Sequence, residues 1–224
     1  MKAATRGDSK ATGVTHRQSV DGTSSGASVD ASPLGGWLVF LFLLAYFGVA
    51  TVYQTGSPDP IWQEGSPMDR LNGSLLWVTS AMALFNATLR SARPMAFMIW
   101  LLASATIGVV AIDELFMLHE KAIEITGDDD HPKILLIACA GVGIYILSKI
   151  ERLHTSAQAL LWCGFFAHFC YLLADMGDGD YFDLPLGRVT LTWIEEYLEL
   201  TSTALYFSAL YVQCFNVVTK SKKR

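Results

Sequence analysis

Three runs of this chain carry side chains able to do chemistry. Asp113, Glu114, His119 and Glu120 stand in IDELFMLHE, His168, Asp175 and Asp178 in HFCYLLADMGD, and Glu195, Glu196 and Glu199 in IEEYLEL. Each run sits in, or closes, a long hydrophobic stretch. An ionisable group at the centre of a membrane helix costs at least about 2.5 kcal/mol and normally has a functional partner. Imidazoles and carboxylates together suit metal ligation, general-base catalysis or proton carriage.

The ligand set expected from these residue types is Asp113, His119, Glu120, His168, Glu195 and Glu199 around a divalent metal, zinc, iron or manganese. Glu196 or Asp175 would then serve as general base. A metal with an open position would activate water against a lipid or another amphiphile, so the expected function is a metal-dependent membrane hydrolase. The same carboxylates also suit a proton- or cation-coupled transporter, and a non-catalytic membrane sensor or assembly subunit is a third reading. The paired Glu-x-x-His of di-iron bundles is absent, as are HExxH and the HxxxH and HxxHH boxes of membrane desaturases. Intramembrane histidines are too few for hydrolases of the alkaline ceramidase type. Asp178, Asp180 and Asp183 in DGDYFD, like Asp128, Asp129 and Asp130, read as solvated loop acids. DGDYFD lacks the spacing and closing Glu of a calcium loop.

The elements that must position these groups are membrane helices. The chain has 224 residues, 52% of them hydrophobic, a composition of a polytopic membrane protein rather than a soluble globule. The fold class expected is all-α, a six-transmembrane-helix bundle with a disordered N-terminal tail. Residues 1–33 are rich in Ser, Thr, Gly and Asp and build no packed core. Residues 34–216 form the membrane domain and 217–224 a basic tail. Spans are placed at 34–54, 72–90, 94–118, 132–149, 157–177 and 190–214, each near the ~20 residues that a crossing helix needs. The first span reads as an uncleaved anchor. Cys139, Cys163, Cys170 and Cys214 have no metal or redox spacing and read as small buried hydrophobes.

Orientation follows from Lys and Arg in the short connections. Lys2, Arg6, Lys10, Arg17, Arg90, Arg93, Lys149, Arg152, Lys220, Lys222, Lys223 and Arg224, twelve of the sixteen basic residues, fall on one side. Seventeen of the twenty-one acids fall on the other. Both termini are therefore expected in the cytoplasm, in a bacterial inner membrane. The lipid bilayer is the expected partner, nucleic acid is not, and the oligomeric state stays open.

This topology carries all three acidic runs to the outer half of the membrane. At about 100° per residue, Asp113 and Glu120 lie roughly 20° apart and form one stripe. His168 and Asp175 share that spacing, with Tyr171 alongside. Glu195 and Glu199 form an i, i+4 pair continued by Ser202, with Glu196 and Thr203 flanking it. Carboxylates so placed repel one another and need a cation or shared protons; Lys133 and Arg188 are the nearest basic candidates. An echo between IDELFML and IEEYLEL is no inverted repeat, because both segments lie at the same face. Ions gathered at one end of six unduplicated spans suit a site better than a through-path.

The pattern DE-x4-HE in one span and EE-x2-E in a later one resembles that of uncharacterised polytopic bacterial membrane proteins. The resemblance covers those two helices and implies no activity.

Overall fold

The computed structural model describes residues 32–54, 67–118, 130–178 and 188–221. Among these the chain is all-helical: α1 Ser32–Gln54, α2 Pro67–Thr88, α3 Pro94–Phe116, α4 Asp130–Ile150, α5 Thr155–Asp178 and α6 Arg188–Ser221. The segment read as a disordered tail lies, except for its last two residues, outside the described residues. α6 continues into the stretch read as a basic tail.

Three stretches, Pro94–Phe116, Lys133–Ile150 and Thr155–Met176, are long and apolar enough to cross a membrane, and α1 adds a shorter apolar piece, Gly35–Gly48. They point to a membrane protein. Their outward surfaces are apolar, with Phe42, Leu102, Leu135 and Phe166 all exposed, as a lipid-facing belt requires. α2 and α6 owe their lower hydropathy to polar residues turned inward: Asn72, Thr79, Ser80 and Asn86 on α2, and Ser202, Thr203, Ser208, Gln213 and Asn216 on α6, are all buried.

α6 is the central helix. It packs most extensively on α5 and also meets α2 and α1, while α2 pairs closely with α3 and α4 leans on α5. One apolar cluster gathers Ala83, Ala87, Trp100, Ile144, Leu147, Leu161, Ala209 and Leu210. A second gathers Phe47, Met68, Leu75, Leu200 and Ala204. Small residues permit the close approaches. A Cβ on Gly73 would stand 2.7 Å from Leu115 of α3, and one on Gly164 would stand 2.9 Å from Tyr206 of α6. On α3, Ser104 and Gly108 sit against Ser80, whose hydroxyl donates to the Ser104 carbonyl at 2.8 Å.

α3 starts on Pro94, where the missing N–H costs nothing, and stops at Met117 in the left-handed region, φ 49°. The Met117 N–H caps the Asp113 carbonyl, which leaves Glu114 in the last turn.

At the end of the bundle opposite the acidic runs, the α2–α3 and α4–α5 turns are joined by charge. Arg90 Nε lies 3.0 Å from Glu151 Oε2, and Arg93 Nη2 lies 3.1 Å from Glu151 Oε1. Arg90 also donates to the Asn86 carbonyl at 2.7 Å and covers the Trp100 ring at 5.0 Å. Asn86 in turn donates to the Leu210 carbonyl, and the His154 N–H donates to Gln213 Oε1. α6 is thereby tied to both turns.

Candidate functional site: a carboxyl cluster around Glu199

The first turns of α6 carry Glu195, Glu196 and Glu199, all half-buried. They are held there because α6 is clasped on two sides. Leu200 and Ala204 pack toward Met68 and Leu75 of α2, while Leu205 and Tyr206 pack on Gly164 of α5. Glu196 therefore turns toward α2, Glu195 toward α5, and Glu199 lies between them.

On the α5 side the chemistry is explicit. Lys133 of α4 donates from Nζ to Asp175 Oδ2 at 2.8 Å. Asp175 and Glu195 lie close enough to act on one another electrostatically. Two ionised carboxylates offer only acceptors, so the Lys133 ammonium is the donor on this side of the cluster. Lys133, one of the two basic residues expected to serve the acids, does so; the Arg188 side chain lies outside the described residues.

On the other side, Asp69 of α2 and Glu114 of α3 act electrostatically on both Glu196 and Glu199. Tyr171 of α5 is within electrostatic reach of Glu199, Asp175, Glu195 and Glu114. The cluster thus draws on five helices, α2 to α6, and Glu199 is its centre.

His168 stands one turn deeper on α5. Its ring is edge-on to Tyr171 at 5.4 Å and tilted against Tyr206 at 6.4 Å. Ser202 Oγ lies 3.5 Å from His168 Nδ1 but donates to the Glu199 carbonyl at 2.7 Å. A hydroxyl hydrogen committed to the backbone is not being drawn off by the imidazole, so the pair is not poised as nucleophile and base.

The structure brings Glu195, Glu196, Glu199 and Asp175 together, with His168 beside them through Tyr171. His119 and Glu120 lie outside the described residues. Asp113 is placed differently from its neighbour. The buried face of α3 runs through Ala96, Trp100, Ser104, Gly108 and Ala111. Asp113 stands about 200° from Ala111, on the far side, whereas Glu114 stands about 60° from it. Asp113 has interactions of its own there, and Glu114 packs against Gly73. Asp69 stands in none of the three acidic runs, and Glu114 stands in one of them but not in the expected ligand set. Continuing the Ser104, Gly108, Ala111 series of small residues by three points to Glu114.

Among the described residues, no three His, Cys, Asp or Glu side chains converge closely enough to hold a metal ion. His119 and Glu120 of the expected ligand set are not among those residues; the partner seen on a described carboxyl of the cluster is the Lys133 ammonium on Asp175.

Neither a curated protein nor a solved structure matches the chain. A family model does, over residues 71–214. The match runs from α2 into α6 and takes in Glu114, Asp175, the three α6 glutamates and the Arg90–Glu151 pair. Spanning well over half of the sequence, it establishes that the chain belongs to the family described as Domain of unknown function (DUF8692).

Proposed function

We propose that this chain is a six-span integral membrane protein with both termini in the cytoplasm of a bacterial inner membrane. In this reading an outward-facing carboxyl site takes up protons or a cation and couples them to transport. The supporting observation is the neighbouring Asp175 and Glu195 carboxyls with Lys133 bonded to Asp175. Adjacent carboxyls beside an ammonium form a site able to exchange positive charge, and charged groups inside a membrane bundle mark such paths. The three apolar helices, the segregation of basic and acidic residues and the inward-turned polar faces of α2 and α6 all accord with this topology.

The test is proton flux in proteoliposomes. A pH gradient should decay through the wild-type protein in a cation-dependent way, and Glu195→Gln should abolish the coupling. A tight bilayer with wild-type protein, or flux indifferent to Glu195→Gln, would sink the reading. A metal-dependent hydrolase acting on an amphiphile instead demands a stoichiometric transition metal that is lost on Glu195→Gln. Elemental analysis of the same preparation separates the two.

A further inference from the structure

Asn72 is 3% exposed, yet neither its amide oxygen nor its amide nitrogen has a hydrogen-bond partner. Leaving a buried polar group unmet is unfavourable, and that cost is recovered when a ligand supplies the partner.

The direction of this side chain follows from the register of α2. Gly73 and Ser80 face α3, the first against Leu115 and Glu114, the second against Ser104 and Gly108. Met68, Leu75 and Asn86 face α6, through Leu200, Ala204 and the Leu210 carbonyl. Asn72 lies roughly 80–100° from the first pair and roughly 40–60° to the other side of the second set. It therefore points into the crevice where α3 and α6 converge on α2. The two helices α2 and α6 run in the same direction, since the start of α2 meets Leu200 and Ala204 while its end meets Leu210. One turn before Leu75, Asn72 stands abreast of the Glu196–Leu200 turn. Glu196 and Glu199 stand on this part of α6, Glu114 packs against Gly73, and Asp69, one turn above Asn72, acts on both α6 glutamates.

The cluster thus has two compartments on either side of Glu199. In one, the Lys133 ammonium already sits on Asp175, beside Glu195. We infer that the other, lined by Asn72, Glu114, Glu196 and Glu199, binds a small primary ammonium ion, which plays toward Glu196, Glu199 and the Asn72 oxygen the part that Lys133 plays toward Asp175. An ammonium group directs separate N–H donors at separate oxygens about 2.7–2.9 Å away, which suits acceptors spread over three helices. A bare metal ion needs several oxygens within about 2.0–2.6 Å of one point, and the described acids do not converge so closely. This inference rests on reading the cluster as a cation-handling site and names the cation's class.

Full-length protein in lipid nanodiscs is titrated calorimetrically with methylammonium chloride, with sodium chloride and magnesium chloride at matched ionic strength as comparators. Saturable methylammonium binding is expected, unmatched by sodium or magnesium and weakened about tenfold or more by Asn72→Leu and by Glu199→Gln. Carbodiimide labelling of Glu196 and Glu199, mapped by mass spectrometry on the wild-type protein, gives a readout free of variants and should slow with methylammonium. Absent binding, binding untouched by Asn72→Leu in folded protein, labelling indifferent to methylammonium, or preference for sodium or magnesium each overturns the inference. Flux measured on the same preparation separates the two claims. Coupled flux without methylammonium binding removes the ligand and leaves the transport function, and binding without flux does the reverse.

Discussion

Arg90 Nε lies 3.0 Å from Glu151 Oε2, and the two side chains are 0% and 4% exposed. Arg93 reaches the same carboxylate but is 58% exposed. One acid therefore neutralises a buried and a peripheral guanidinium and pins two turns together. Replacing Glu151 with Ala strands the Arg90 charge, and losing one partner of a buried pair costs about 3–5 kcal/mol. Arg93→Ala should cost less than about 1 kcal/mol, as exposed pairs do. Unfolding midpoints in detergent give the order directly; equal losses would show that Arg90 is not the group Glu151 serves.

Close packing at Gly73 is the second testable feature. An added methyl would stand 2.7 Å from the Leu115 side chain, and overpacking of this kind costs about 1–3 kcal/mol. Gly73→Ala should lower stability, and a further Leu115→Ala should restore part of the loss. A double-mutant cycle with no coupling between the two positions would contradict the close α2–α3 contact.

The closeness of the Asp175 and Glu195 carboxyls makes a third prediction. Glu195→Gln replaces one of two adjacent carboxyls with a neutral amide able to donate to Asp175, so thermal stability should hold within about 1 kcal/mol of wild type. Lys133→Met leaves the neighbouring carboxyls without the counter-charge of this partly buried pair and should destabilise the protein by more. Melting temperatures measured side by side decide the matter, and the reverse order would break the proposed arrangement.

How much of this was legible in the sequence depends on which physical signal each residue carries. Apolar length marked α3, α4 and α5 well, because a helix that faces lipid must be apolar along its outer side. The extent of α6 was less readable. A helix enclosed by neighbours can be polar inside and still be stable, so its hydropathy fades while the helix goes on to Ser221. Charge type and depth pointed to Glu195, Glu196, Glu199 and Asp175, and to Lys133 as their counter-ion. At α3 the seven-residue relation of Asp113 to Glu120 named one stripe, while Trp100, Ser104, Gly108 and Ala111 form the buried face; Glu120 lies outside the described residues. Asn72 and Glu151 carried no periodic signal. Their roles depend on contacts across the bundle, between residues far apart in the chain.

Sidedness supplies a fourth prediction. Arg70, Arg93 and Arg152 are exposed, and single cysteines placed there in a background freed of the native thiols report which side each faces. Membrane-impermeant maleimide should label position 70 from outside intact cells. Positions 93 and 152 should label only after lysis. The opposite pattern would invert the proposed orientation.

α6 runs for 34 residues without a glycine or proline, which makes a rod about 51 Å long, well beyond the ~30 Å of a hydrocarbon core. Kinks need such breakers, π-bulges or an inserted side chain. A push or twist delivered where Glu199 sits therefore has no joint in which to dissipate. It would arrive at Gln213 and the Asn86–Leu210 bond, the clamps that hold the α2–α3 and α4–α5 turns, so loading one end of the shaft would be felt as torque on the far fastening.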